Sequence, residues 1–515
     1  MTIAARTTAV PSRRTFTSAT VRTTAVTCVC AFGLHLAFPL TNWWWLAPFA
    51  FAGLVVSWCV ATPGAAALNG YLGGLVFFSL GFSWFGETAG ALVGPAAPVL
   101  VLGPAAVEAP AFAFAAACAS FAVRRCDARI VPYVIAAAYT LGELLRSEGT
   151  LGVPFSQLGV AMIDSPLRPL AAFVGGYGIT FATALLGASL AWWLLDRGDA
   201  RRARTAIVAW LAVGAFVALA WTCWPARHAA APTRRVAAVQ GGITQSLKMS
   251  ASGLREGIAR YTAMTRALAG AHVSLVLWPE TVIPTDLLGQ SDLRRSFALL
   301  ADDLHAPLWV GAWGDDGRRY TNALYLFDPR TNPYDMRATY AKEQLVPFAE
   351  WLPGPDWLRR VPYLDQVGAF TPGRNALDVI DGMTPLICWE SVFGDLAHAR
   401  LAQGATLLLI ATDDAWFGTT EGPYEHAQAA TLRAVESGRW VLRAAATGIS
   451  GIVAPDGTWT QRTTLGGAAT VVGMVGAPSA APYAVVGPQP IGAVLLLLTV
   501  LPFVLPAVLR RRNVA

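Results

Sequence analysis

The chain has 515 residues, of which 55% are hydrophobic and only 14% charged, too apolar for an ordinary soluble enzyme. Its net charge of +6 comes from arginines in short clusters between apolar runs, which excludes the continuous basic stripe of a nucleic-acid-binding protein. Only two of the 38 basic residues are lysines, Lys248 and Lys342, so each marks a place where a compact, deprotonatable ammonium is wanted rather than a guanidinium fork.

In chain order, a tail over residues 1–23 precedes a bundle over 24–224. A bilayer core of about 30 Å needs about 20 apolar residues per helix. On that basis spans are expected at 24–40, 43–60, 66–85, 95–123, 130–145, 170–195 and 205–224, with an eighth at 491–509 and a last tail over 510–515. Arg6, Arg13, Arg14 and Arg22 precede the first span. Arg124, Arg125 and Arg129 follow the fourth, Arg197, Arg201, Arg202 and Arg204 the sixth, and Arg510, Arg511 and Arg512 the eighth. Each cluster follows an even number of crossings, so both termini are expected in the cytoplasm and the segment after the seventh span outside it. Glu143 and Arg146 share one face of the fifth span. They face protein or a wet cavity, or else mark the helix end at the interface.

Residues 230–482 have a mixed composition and read as a layered α/β domain. Strands are expected at 236–240, 273–278, 308–312, 322–327, 384–387, 406–411, 440–444 and 451–454, and helices at 254–269, 293–303, 395–402 and 425–437. Internal repeats, metal-ligand spacings and a Gly-rich phosphate loop are not found in the sequence. Of seven cysteines, only Cys388 lies in this domain, where it is either buried and inert or a nucleophile. Two strand ends and one stretch between them carry chemistry. Residues 273–278 lead through Pro279 to Glu280, and 384–387 lead to Cys388-Trp389-Glu390. Lys342 opens the intervening stretch that runs to Glu350. Carboxyl ends of strands in an α/β sheet converge on one crevice. There, Glu280 is the expected general base, Cys388 the nucleophile and Lys342 the group that favours the thiolate and steadies an oxyanion, with a backbone N–H just after Cys388 as a second donor.

These residues resemble the bacterial apolipoprotein N-acyltransferases, membrane members of the nitrilase superfamily. The stretches that match are Val239-Gln240-Gly241 with Gln245-Ser246-Leu247-Lys248, Trp278-Pro279-Glu280, Lys342 through Glu350, Ile387-Cys388-Trp389-Glu390, Asp414-Ala415-Trp416-Phe417-Gly418 and Arg433-Ala434-Val435-Glu436. Gly152-Val153-Pro154-Phe155 and Gly175-Gly176-Tyr177-Gly178 match more weakly. The resemblance implies a nitrilase-like αββα sandwich on an eight-span bundle. It implies transfer of an acyl chain, typically the sn-1 chain of phosphatidylethanolamine, through a Cys388 thioester to the α-amino group of a diacylglyceryl-modified N-terminal cysteine. Glu280, Lys342 and Cys388 would be the catalytic residues, with Glu350, Glu390 and Trp389 in support and no metal or cofactor. The partners would be the phospholipid donor, the apolipoprotein acceptor and the membrane, with the enzyme a monomer in the bacterial inner membrane.

Four positions depart from the family pattern. Met249 stands where tryptophan is usual, Trp389 where tyrosine is, and Asp413 and Ala446 where asparagine is. Met249, Trp351, Arg359 and Trp416 are the candidate substrate-binding residues. Trp351, Leu352, Trp357, Leu358, Val361, Tyr363 and Leu364 form either a greasy arm over the site or an ordinary packed surface. Arg359 and Arg360 within it either meet lipid phosphate or are solvated. The alternatives are another membrane-tethered nitrilase-type amidase or acyltransferase, or a non-enzymatic transporter or lipoprotein-binding scaffold. A transporter is expected to show paired polar, broken helices at the bilayer midplane.

Overall fold

The computed structural model of the chain describes residues 18–93, 97–228, 231–360, 364–374 and 378–512. Among the described residues, four helices are long and apolar enough to cross a membrane: Pro63–Gly81, Leu102–Arg125, Arg168–Leu194 and Ala200–Arg227. Trp44–Val60 and Pro488–Val504 are shorter apolar helices. Helices also occupy the two other expected positions, at Ser18–His35 and Val131–Ser147. The expected span at 66–85 ends early, because the helix stops at Gly81 and a separate helix, Ser83–Val93, leaves after Phe82. The 95–123 stretch is interrupted at Val101, and the helix that follows carries a one-residue turn at Ala109, where Pro110 lacks the N–H that would continue the ladder. Arg6, Arg13 and Arg14 lie outside the described residues.

The soluble α/β region contains, among the described residues, strands β1 (Arg234–Gln240), β2 (Val276–Leu277), β3 (Ile283–Asp286), β4 (Leu308–Asp315), β5 (Tyr320–Phe327), β6 (Ala338–Ala341), β7 (Met383–Ile387), β8 (Leu407–Thr412), β9 (Trp440–Ala445), β10 (Gly451–Val453), β11 (Trp459–Arg462) and β12 (Ala469–Val475). One sheet runs β12-β1-β2-β4-β5-β6, with β3 also on β4. The other runs β11-β10-β9-β8-β7. Strand alternation sorts side chains between two cores. Val236, Leu277, Trp309, Leu326, Leu409 and Leu442 fill the space between the sheets. On the outer face of the first sheet, Tyr261 and Phe297 of helices Ala251–Arg266 and Ser291–Leu304 pack on Val239, Val276 and Val310.

The second sheet is covered by helices Gly394–Ala402 and Gly422–Ser437. Every residue of Gly422–Ser437 except Tyr424 is buried, so the helix is covered on both sides. Ala430 and Ala434 meet the sheet, while Ala429, Leu432 and Val435 meet the membrane helices. This helix therefore joins the two-sheet region to the bundle.

Glu143 and Arg146 are not partners of each other. Glu143 accepts hydrogen bonds from Leu158 N (2.8 Å) and Thr180 Oγ1 (2.8 Å). Arg146 donates to the carbonyls of Val153 (2.7 Å), Phe155 (2.9 Å) and Ser156 (2.9 Å) and lies 3.4 Å from Glu108. Both charges fix the 153–158 segment, on which the soluble region rests.

Candidate active site

Each functional side chain sits just past a strand. β2 stops before Pro279, and Glu280 follows in a turn where Thr281 takes φ = 50°. Gly311 of β4 lies against that turn. A Cβ there would overlap Pro279 O and sit 2.8 Å from Glu280 Cα. Gly311→Ala is therefore expected to push the turn away, costing about 1–3 kcal/mol, and to lower both Tm and activity. An unchanged melting curve would show that the turn has slack. Lys342 follows β6, its N–H held by Asn322 O at 2.8 Å. β7 delivers Cys388, whose φ of 49° is a left-handed conformation that a non-glycine residue adopts only when its surroundings enforce it.

These strand ends bring the two flanking residues together in a buried cluster. Lys342 Nζ lies 3.0 Å from Glu280 Oε1 and 2.9 Å from Glu350 Oε2. Asn322 Nδ2 bridges the two carboxylates, at 2.7 Å from Glu280 and 2.9 Å from Glu350. The other Glu280 oxygen accepts from the backbone N–H of Asp413 at 2.8 Å. Asp413 is itself ion-paired with Lys248, so both lysines of the chain are buried in this one site. Cys388 is buried beside them and interacts electrostatically with Glu280 and Lys342.

Burial pushes the Cys388 thiol well above its ordinary value and the Glu280 charge adds to this, with Lys342 opposing. Burial would also raise Glu280, but Lys342 and Asn322 more than cancel it and leave the carboxyl below its usual range. Lys342 loses charge stability to burial and regains more from Glu280 and Glu350, ending well above its ordinary value. The resting site thus holds a neutral thiol, a carboxylate and an ammonium. That is the state in which a base must take the thiol proton as attack occurs.

Glu350 touches Lys342 directly. Glu390 does not; its carboxylate instead accepts from Glu343 N (2.7 Å), Ile387 N (2.7 Å) and the Tyr340 hydroxyl (3.1 Å), tying the segment after Lys342 to the strand before Cys388. Burial raises Glu390 to about 7. Met249 and Trp416 are exposed at 54% and 42%. Trp351 O accepts from Phe348 N at 2.8 Å, and Trp357 is exposed. Arg359 donates to Val367 O at 3.0 Å and Gly368 O at 3.4 Å, so its guanidinium is engaged within its own loop. Val361 and Tyr363 lie outside the described residues.

The site abuts the membrane helices. The Trp389 ring stacks on Phe155 (5.3 Å between centroids, 13° between planes), and Thr88 donates to Trp416 O at 2.8 Å. Helix Gly422–Ser437 holds the bundle through carboxylates: Glu425 accepts from Ser156 N, and Glu436 from Gly176 N at 2.7 Å. Burial raises Glu425 to about 8, against an unfolded value of about 4.3. The folded state therefore keeps a proton that the unfolded chain releases, and stability falls as pH rises from about 4.3 towards 8. Melting temperatures in detergent are expected to drop over that range. Glu425→Gln keeps an acceptor for Ser156 and should make the slope shallower, with Glu390 and Glu421, raised in the same direction, supplying the rest; an unchanged slope would exclude Glu425 as a contributor.

Asn322, His426 and the pairing of Lys248 with Asp413 are not singled out by motif spacing. The signal that could find Asn322 is a polar residue inside an apolar run, since it begins the buried stretch of β5; Arg443, which interrupts β9, carries the same signal.

Residues 30–189 match the family model for the apolipoprotein N-acyltransferase N-terminal domain, and residues 235–477 match that for carbon-nitrogen hydrolase. The apolipoprotein N-acyltransferase of Methylococcus capsulatus is 31% identical over 448 residues, covering 82% of this chain and 83% of that protein. That of Pseudomonas aeruginosa strain PAO1 is 32% identical over 444 residues, covering 82% and 84%. Among solved structures, an amidase of the nitrilase superfamily from Nesterenkonia AN1 overlays with a TM-score of 0.38 at 20% identity, covering 51% of this chain and 97% of that one.

Proposed function

Since the chain belongs to the apolipoprotein N-acyltransferase family, we propose that it transfers an acyl chain from a phospholipid to a lipoprotein amine through a thioester on Cys388. The observation that carries this reading is the buried Glu280–Lys342–Glu350 cluster beside a strained cysteine, against the membrane helices. In the first half-reaction Glu280 takes the thiol proton as sulfur attacks the ester carbonyl. The electron pair moves to the carbonyl oxygen, where Lys342 and the Trp389 N–H meet it. Collapse expels the lysophospholipid alkoxide, which receives the proton from Glu280. In the second, the α-amino group of a diacylglyceryl-cysteine attacks the thioester, losing its proton to Glu280. Collapse releases the amide and a thiolate that regains the proton.

The donor is phosphatidylethanolamine, attacked at its sn-1 ester. An ester is already an adequate acyl donor, so the reaction asks for no nucleotide or metal. Eight spans with both termini in the cytoplasm put residues 230–482 outside it, where both lipid-anchored substrates lie. The arginine clusters support that orientation. Attachment to the bundle has a purpose for such substrates that it would lack for a freely diffusing amidase.

The test is acceptor dependence. Purified protein in phosphatidylethanolamine vesicles is expected to release lysophospholipid and N-acylated product in equal amounts once a diacylated lipopeptide is added, with little free fatty acid before. Fatty acid released at the same rate without acceptor would make the protein a hydrolase instead.

A further inference from the structure

The peptide unit joining Cys388 to Trp389 is planar, so wherever its carbonyl is held, its N–H points the opposite way. That N–H is among the first of the short helix Cys388–Val392, and so has no partner within it. It is the donor that the proposed mechanism uses. The carbonyl end is anchored with care. Ser391 Oγ donates to Cys388 O at 2.8 Å, and His426 Nε2 lies 3.1 Å from that oxygen and 2.8 Å from Ser391 Oγ. On the other side of the ring, His426 Nδ1 lies 2.9 Å from Asp414 Oδ1, an acceptor like the carbonyl at Nε2, so the grip on that carbonyl requires a proton on both ring nitrogens, a state that the Asp414 carboxylate favours and that burial and Arg443 oppose. Asp414 is fixed in turn by Arg443 Nη2 at 2.7 Å and Thr412 Oγ1 at 2.7 Å. Every member of this chain is buried: Ser391, Asp414 and Arg443 are 0% exposed and His426 is 1%.

A serine, histidine and aspartate in hydrogen-bonded line would suggest a second nucleophile, but the serine hydroxyl is committed to a carbonyl and sealed from solvent. We infer that His426 is a positioning residue: backed by Asp414 and Arg443, it grips the carbonyl of Cys388 and thereby aims the Trp389 N–H at the oxyanion. The arrangement also accounts for the left-handed backbone at Cys388, since a strained turn persists only where its surroundings over-determine it. It lies on helix Gly422–Ser437, the same helix that rests on the bundle, so the donor's aim is referenced to the membrane region.

The inference rests on Cys388 as the nucleophile, and the test separates the two. Attack on an ester builds an oxyanion, whereas alkylation of the same thiol by iodoacetamide does not. His426→Phe preserves a ring between Phe155 and Phe417, whose centroids lie 6.0 and 5.9 Å away. It is expected to slow acylation of Cys388 by phospholipid about 10- to 100-fold, less than the roughly 10²–10³ for deleting an oxyanion donor outright. Alkylation of the Cys388 peptide, compared at its pH plateau by mass spectrometry, should stay within about twofold. His426→Gln, which offers an amide N–H to the carbonyl, should recover much of the rate. Should His426→Phe not fold, Ser391→Ala carries the same comparison with one oxygen removed. Acylation at the wild-type rate, or acylation and alkylation falling together, would overturn the positioning role. A wild-type protein that alkylates at Cys388 but never acylates there would instead overturn the thioester reading.

Discussion

Lys342→Arg is expected to reduce turnover by at least about 10²-fold, the scale of losing an oxyanion donor, although the positive charge is kept. Lys342 is 1% exposed, and its Nζ sits between carboxylate oxygens 3.0 and 2.9 Å away. A guanidinium is wider, planar and carries five donors in a fixed fork. In that space it must push Glu280 and Glu350 apart or turn away from the carbonyl oxygen. Single-turnover acylation should fall with kcat, because the missing contact belongs to the transition state. Near-normal acylation in this variant would remove Lys342 from the oxyanion role.

The second large effect is at Glu280. Glu280→Gln is expected to leave a folded protein whose acylation is slowed about 10²–10⁴-fold, the range of a lost general base. Lys342 still has Glu350 as a counter-charge, so the ammonium is not left unpaired in the core. The amide cannot accept the thiol proton, and the thiol, raised well above its ordinary value, does not ionise unaided. Circular dichroism and melting should report the fold, and intact mass the absent adduct. Rapid acylation would mean that another group takes the proton.

Much of this site is legible in the sequence, for physical reasons that can be named. Apolar runs ending in Pro279-Glu280 and in Cys388 announce their strand ends: β7 stops where its run stops, and β2, only Val276–Leu277, stops one residue earlier. The scarcity of lysine flags Lys342. The same reasoning applies to Lys248, whose ammonium is buried against the Asp413 carboxylate. What the sequence conceals is chiefly what lacks a continuous apolar run. β11 is largely exposed at a sheet edge, β12 alternates irregularly, and β3 is four residues containing a proline. Side-chain partners across long separations are equally hidden. Glu143 and Arg146 sit on one helical face, yet each turns to backbone groups of the 153–158 segment rather than to the other. Glu390 is adjacent to the nucleophile in sequence but works on the segment after Lys342.

The most direct test of the thioester account is the mass of the Cys388 peptide after incubation with phosphatidylethanolamine vesicles alone, followed by addition of a diacylated lipopeptide. One acyl chain on Cys388 is predicted, lost on mixing as the lipopeptide gains it in amide linkage, with Cys388→Ala carrying none. Amide product formed at full rate while Cys388 stays unmodified, or formed by Cys388→Ala, would contradict it.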